Sequence, residues 1–407
     1  IADFTEAEIA DVNAASSITV TGSLTAAQAT KLLARTPAVT LGTVTGNSAD
    51  LAGLTVGSAD SIATMTTSDA ADVDEATAMI ASATSVTAYS LTDTAAKITA
   101  ASAAVRNGSN LITASGNTTL AQSRILDDAT GATDDNTVFT LSDSAANILT
   151  ATAAELARGN GANNTVTAND ANVSAATATS LRDLDTAQTG FVIAGAGGTG
   201  NFTLSDNSTN LTSSANANAL AASSNVTITD AVSVTTANSV IDGSKAASTV
   251  AYELTGTFAS LLTSSSGIKD GGTQGGRTLT VSKITVSDAV TLTQANTVDG
   301  WGANAGGDSD NASLVYSITD TVANLVAGTS DALVAARTSA ASVTATGTQT
   351  VAQAAVVSEY ANLSGTYSIT DSAANIYTAL NTQTGGAGAS DRALLTGAAS
   401  ISLTTGA

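Results

Sequence analysis

Apolar and polar residues alternate along this chain in two recurring patterns. The first reads aromatic, Ser/Thr, Leu/Ile, Ser/Thr, Asp, then a small-residue run closing on Ile or Leu. It occurs as YSLTDTAAKI from Tyr89, FTLSDSAANI from Phe139, FTLSDNSTNL from Phe202, YSITDTVANL from Tyr316 and YSITDSAANI from Tyr367. Degenerate copies start at Gly42 and Tyr252. Alternation at period two, with β-branched and aromatic residues, predicts a short, half-buried strand. The Ala-rich run after the Asp predicts a short helix. Asp93, Asp143, Asp206, Asp320 and Asp371 exchange with Gly46 and Gly256 at one place in the pattern. Asp and Gly are both accepted N-caps, so this residue is expected to cap the helix that follows it.

The second pattern lies between copies of the first. VTITDAVSVTTANSV from Val226 and ITVSDAVTLTQANTV from Ile284 are its clearest copies. Weaker ones begin near Ile18, Met65, Ile112, Val166 and Val343, and Ser400-Ile401-Ser402-Leu403 opens another. Caps are expected at Asp74 and Thr293, ahead of a helical turn. First-pattern copies start at 42, 89, 139, 202, 252, 316 and 367, so a pair of half-units takes 47 to 64 residues. About fourteen half-units cover the chain. A unit this small cannot close its own core, whereas stacked units can. Parallel strands at about 4.8 Å would give a rod of roughly 65–70 Å. The expected fold is therefore mostly β with short helices, a parallel β-solenoid. Tandem small β-rich domains are the alternative. Residues 1–407 read as one continuous array, and the opening strand at Ser400 suggests a piece of a longer one.

Composition narrows the chemistry. Cysteine and histidine are absent from the 407 residues, which removes thiol nucleophiles, zinc–thiolate sites, imidazole bases and the Ser-His-Asp triad. Lys+Arg is 13 against Asp+Glu 34, a net charge of −21. Such a chain repels nucleic acid and suits hard cations, Ca²⁺ first, through carboxylate and carbonyl oxygens. Hydrophobic residues at 43% and a single Pro argue against disorder. No apolar run is long enough to span a membrane, so membrane insertion is not expected.

Gly- and Asp-rich loops are expected at Asp127–Asn136, Gly195–Asn201, Asp270–Arg277, Asp299–Asn311 and Thr384–Asp391. Two of them carry candidate Ca²⁺ ligands: Asp127, Asp128, Asp134 and Asp135, and Asp299, Asp308 and Asp310. Neither set has the EF-hand spacing. Thr-x-Thr stretches such as Thr227-Ile228-Thr229 would suit an ice-binding face only on uniform units. Unit lengths vary and the positions mix Ser, Thr, Ala and Asn, so they are read as β-propensity on a solvent face. Glu155, Glu253 and Glu359 fall in different units and define no catalytic pair. Trp301, the only Trp, lies in a Gly-rich stretch. No catalytic residue or organic cofactor is expected, and the chain is not read as an enzyme.

The YSITDSAANI and VSDAVT–ANTV repeats resemble those of large bacterial surface proteins. These are the Thr/Ala/Asp-rich arrays of type I-secreted S-layer, filament and adhesin proteins of the hemolysin-type group. The resemblance covers about 85% of the chain and lies in composition and repeat grammar, without the GGxGxDxxx nonapeptide of that class. It implies export to the cell surface, Ca²⁺ binding and polymerisation. The expected function is an extracellular structural protein that self-assembles into a surface layer or filament. Its partners would be further copies of itself and cell-surface polysaccharide. An adhesin stalk is the alternative, and a carbohydrate-active β-helix enzyme the third reading.

Overall fold

A computed structural model describes residues 12–87, 89–129, 136–158, 164–187, 191–195, 198–199, 202–264, 272–301, 313–381 and 394–404. The chain packs as two compact units, Ile1–Ala171 with Ser180–Asn201, and Asn172–Thr179 with Phe202–Ala407.

Apolar alternation does produce strands at the expected places, and successive strands pair in parallel. In the first unit Ser17–Thr25, Ala38–Gly46, Ser61–Thr67 and Ser85–Thr87 form a sheet in chain order. Its inward residues Val39, Leu41, Val44, Ile62 and Met65 are buried. The register is regular: Thr43 faces Thr64, which faces Ser85, and Thr45 faces Thr66, which faces Thr87. A seven-stranded sheet then runs from Ala70–Ala71 through Tyr89–Thr94, Ser109–Thr118, Thr137–Asp143 and Asn164–Ala168 to Phe191–Gly195 and Gly198–Thr199. In the second unit Thr203–Asp206, Asn225–Val232, Thr249–Gly256 and Arg277–Val286 pair in the same way. Among the described residues only two strand pairs are antiparallel, those closing the hairpins at Gly195–Gly198 and Gln274–Arg277. The second hairpin occupies part of a segment expected to be a loop.

Second-pattern strands turn a corner. Ser342–Thr346 pairs back to Ser317–Thr321, while Thr348–Gln349, just beyond Gly347, pairs forward to Ser368–Asp371. Ser61–Thr67 and Ala70–Ala71 repeat this on either side of Asp69. The corner residue is thereby carried to the start of a helix in the unit before.

Helices follow most of the long strands. Second-pattern units carry one helix, such as Val73–Ser82, Val234–Gly243 or Val351–Ser358. First-pattern units commonly carry two, such as Ala95–Ala100 with Ala103–Asn107, or Val322–Ala327 with Asp331–Ser339. The first-pattern aromatics enter the core: Tyr89, Phe139, Phe202, Tyr252 and Tyr316 are buried. The Tyr316 hydroxyl donates to the Ala336 carbonyl at 2.6 Å, near the end of the unit's second helix. Tyr89 does the same to Val105, and Tyr367 to Leu394 at 2.9 Å. Burial pushes the Tyr89 phenol up to about 12.

The expectation of a mostly β solenoid is overturned. Among the described residues helix reaches 42% against 35% strand, and the strands fall into several separate parallel sheets, an α/β arrangement. The physical reason lies in alanine. Its abundance would suit a thin interior, but Ala is also the best helix former, and the runs after the caps wind into helices of 4 to 13 residues, often two to a first-pattern unit. Parallel strands need such crossovers.

Candidate functional site

The residue that recurs in both patterns is the Asp after the strand, and its place differs from the expected one. The N-caps of the first-pattern helices are the next residues, Thr94, Ser144, Asn207 and Thr321. In second-pattern units the caps are Asp72 and Thr291, two positions before the expected Asp74 and Thr293. The Asp itself lies one step outside its own helix and faces the helix of the preceding unit. One carboxylate oxygen accepts from the first N–H of that earlier helix. Asp143 takes the Leu120 N–H at 2.9 Å, Asp320 that of Leu292 at 2.9 Å, and Asp371 that of Val351 at 2.9 Å. Asp206 takes that of Ala175 at 3.0 Å and Asp93 that of Val73 at 3.4 Å. The other oxygen stays local. At Asp143 it accepts from the Ser144 N–H at 2.7 Å and the Asn147 side-chain amide at 2.8 Å. Asp206, Asp320 and Asp371 repeat this with Asn210, Asn324 and Asn375.

Second-pattern Asp residues do the same. Asp69, Asp170, Asp230 and Asp288 accept the first N–H of the helices at Ser48, Ala145, Ser208 and Phe258. Nine helices of the described residues are thus stapled to the next unit by one carboxylate each. Sequence reading missed the second-pattern members, although the repeated Ser/Thr-Asp-Ala step of VTITDAV and ITVSDAV marks two of them.

The staple joins two favourable effects, a charge-assisted hydrogen bond to an orphan donor and an anion at the positive end of a helix. Burial works to raise the Asp143 carboxyl. The bonds from Asn147, Leu120 and Ser144 outweigh it and hold the group below the ordinary carboxylate range. Asp371 and Asp230 are depressed in the same way against their own burial. Cations serve helix C-terminal ends: Arg277 donates to the Asp242 carbonyl at 3.1 Å, and Arg337 to that of Leu325 at 3.1 Å. Arg337 also lies over the Tyr360 ring at 4.0 Å.

At four junctions a glycine stands in the register position of the staple. Gly46 lies opposite Ala26, Gly116 opposite Ala95 and Gly347 opposite Val322, each one step beyond a paired residue, and Gly256 lies opposite Val234, two steps beyond one. Gly46 is a close approach, since a Cβ there would meet the Ala26 Cβ at 3.0 Å. Gly116 and Gly347 have positive φ, +75° and +86°.

Comparison with known protein families, curated proteins and solved structures finds no match.

The remaining sequence-derived candidates settle into structural places. Asp127 and Asp128 belong to the helix Leu120–Ala129, not to a loop, and Asp127 pairs with Arg158 at 2.7 Å. Asp299 ends the helix Leu292–Asp299 and accepts from the Tyr316 hydroxyl at 3.3 Å. Asp134, Asp135, Asp308 and Asp310 lie outside the described residues. Among the described residues no group of three or more acidic side chains is placed to hold a metal ion. No described helix is long and apolar enough to cross a membrane. Trp301 is a core residue, 7% exposed and stacked on Phe258 at 5.8 Å between ring centres. Glu155 pairs with Arg124 at 2.6 Å and closes a capping box with Thr152. Glu253 faces Lys283 across two strands.

Two further features are larger than a contact. Ser23, Thr43, Thr64 and Ser85, and likewise Thr25, Thr45, Thr66 and Thr87, form two rows across the first sheet. Their hydroxyls engage one another or strand carbonyls: Thr66 meets Thr87 at 3.1 Å, and Thr45 donates to the Leu24 carbonyl at 3.3 Å. Such cross-strand hydroxyl pairs stabilise a sheet. A groove of about 740 Å³ opens beside Gly256, lined by Ser233, Asn238, Thr255, Ser260 and Gln274 among others. Its described lining carries neither charge nor an aromatic ring.

Proposed function

We propose that this chain is an extracellular structural protein that self-assembles into a layer or filament on a bacterial cell surface. The observation that carries the reading is the recurrence of one stapling bond at nine unit junctions. The recurring chemistry of the repeat joins units to one another rather than converging on one cleft. The resemblance of the repeats to surface-layer, filament and adhesin arrays supports the same reading. Repeated units with parallel strand pairing suit propagation by head-to-tail contact, which generates fibres when the rotation does not close. Ca²⁺ enters as a proposed linker between copies, held by acidic segments such as that beginning at Asp127.

Negative-stain electron microscopy of the purified protein, with and without millimolar Ca²⁺, tests this. Ordered sheets or filaments that dissolve in EDTA are the expected result. Polymers indifferent to EDTA keep the structural role and remove the metal from it. Isolated particles in both conditions overturn self-assembly and leave the adhesin stalk.

A further inference from the structure

We propose that the junctions at Gly116, Gly256 and Gly347 are points of first opening, where the array separates locally while its stapled junctions stay closed. Two kinds of observation coincide there. The carboxylate that holds the first N–H of the preceding helix is missing, because the residue in register is glycine. Each junction also carries a second weakness of its own.

Behind Gly116 the inward residue is Thr118, 0% exposed, whose hydroxyl has no partner. Behind Gly347 it is Gln349, 0% exposed, with both amide atoms unpartnered. Behind three of the four second-pattern stapling Asp residues the equivalent residue is a buried hydrophobic, Ala71, Val232 and Val290, and behind Asp170 it is the exposed Asn172, which water can satisfy. A buried polar group without a partner destabilises the packed state relative to one open to water. At Gly256 the second weakness is the polar groove. Gly46 differs, because its close contact with Ala26 fills the space the carboxylate would take.

Local opening costs least where few buried contacts and bonds must be broken. A chain of nearest-neighbour units separates at its weakest interface first. The unstapled junctions meet that condition, and glycine supplies backbone freedom at the corner when the units part. The consequence holds whether or not the chain polymerises.

Hydrogen exchange of the full chain, followed by mass spectrometry of its peptides, reads the order of opening. Protection around Ala95–Ala100 and Val322–Ala327 is expected to be at least about tenfold lower than around Leu120–Ala129 and Leu292–Asp299. Two variants separate this from helix length. Gly256→Asp with Ser260→Asn installs the missing carboxylate and its amide partner. Gly256 lacks a positive φ, and a Cβ added there meets only the short Ser260 side chain below 3.0 Å. This pair should slow exchange across Val234–Gly243 about tenfold. Gln349→Val should slow it across Val322–Ala327 by a similar factor. Equal protection at stapled and unstapled junctions overturns the proposal. So does unchanged exchange in Gln349→Val, which remains decisive if the Gly256 pair fails to fold.

Discussion

Replacing Asp143 by Ala removes three bonds from one carboxylate and leaves the Leu120 N–H, on a residue 2% exposed, without its acceptor. The Ser144 N–H and the Asn147 amide lie near the surface and can turn to water, so the buried N–H decides the cost. A bond to a charged group contributes about 1.5–3 kcal/mol, and a buried donor stripped of its partner costs about as much. These describe the same loss from two sides, so the expected destabilisation is about 3 kcal/mol. That is roughly two decades in local opening. Asp288→Ala is the control. Asp288 is exposed and takes one staple bond, from the Phe258 N–H at 2.7 Å, so about 1 kcal/mol is expected.

The assay is hydrogen exchange of the peptide covering Leu120–Ala129, because a long repeat chain need not unfold in one step. Acid gives an internal check. The native Asp143 carboxyl is depressed, whereas the unfolded chain has an ordinary Asp near 3.9. Its stabilisation is therefore complete above about pH 4 and is lost as pH falls through the lower native value. The gap between wild type and Asp143→Ala should be full at neutral pH and shrink steadily below pH 4. Equal effects of the two substitutions, or a gap that persists unchanged into strong acid, would refute the staple.

Gln349→Leu should stabilise the second unit by about 1–2 kcal/mol, read by urea unfolding, because it removes a buried amide with no partner. Tyr316→Phe should cost about 1 kcal/mol through loss of the 2.6 Å bond to the Ala336 carbonyl, with near-ultraviolet dichroism confirming that the ring stays packed. Glu155, depressed from 4.5 to about 2 first by the Arg124 bond and then by Thr152, stabilises its helix above 4.5 and loses that effect as pH falls towards 2. Glu155→Gln should therefore remove a protection step in that window, measured by exchange of Ala153–Ala157.

Much of the fold was legible because the patterns are periodic. The strands at Tyr89, Phe139, Tyr316 and Ser368 lie where the alternation puts them, and parallel pairing follows from the crossover helices. The helix content was not legible. Runs such as AANI look like one turn in isolation, and the second helix of a first-pattern unit has no repeated signature. The role of the Asp was half legible. A strand–Asp–Ser/Thr–Ala string announces a helix start, but two adjacent residues both qualify as caps. Only the register between units shows that Ser144 caps its own helix and Asp143 reaches back to Leu120. The acidic segments at Asp127 and Asp299 suggest loops because Gly follows them, yet both Asp residues still belong to helices, which continue to Ala129 and Asp299.

The staple also gives the net charge of −21 a cause within the fold. Each stapled helix places a carboxylate at its N-terminal end, where the helix dipole favours an anion. Helix C-terminal ends, on stapled and unstapled helices alike, are met by neutral donors as well as by Arg277 and Arg337. Ser223 donates to the Leu220 carbonyl at 2.7 Å, Ser244 to that of Ile241 at 2.8 Å, and Ser264 to that of Leu261 at 2.6 Å. Tyr316 does the same at Ala336. Nine stapling carboxylates against arginines that donate at three of the described helix C-terminal ends, Arg106, Arg277 and Arg337, leave an excess of negative charge. Acidity then grows with the number of units, before any cation is considered. The four glycine junctions are where that accumulation pauses, and two of them also hold a buried polar side chain without a partner, Thr118 and Gln349.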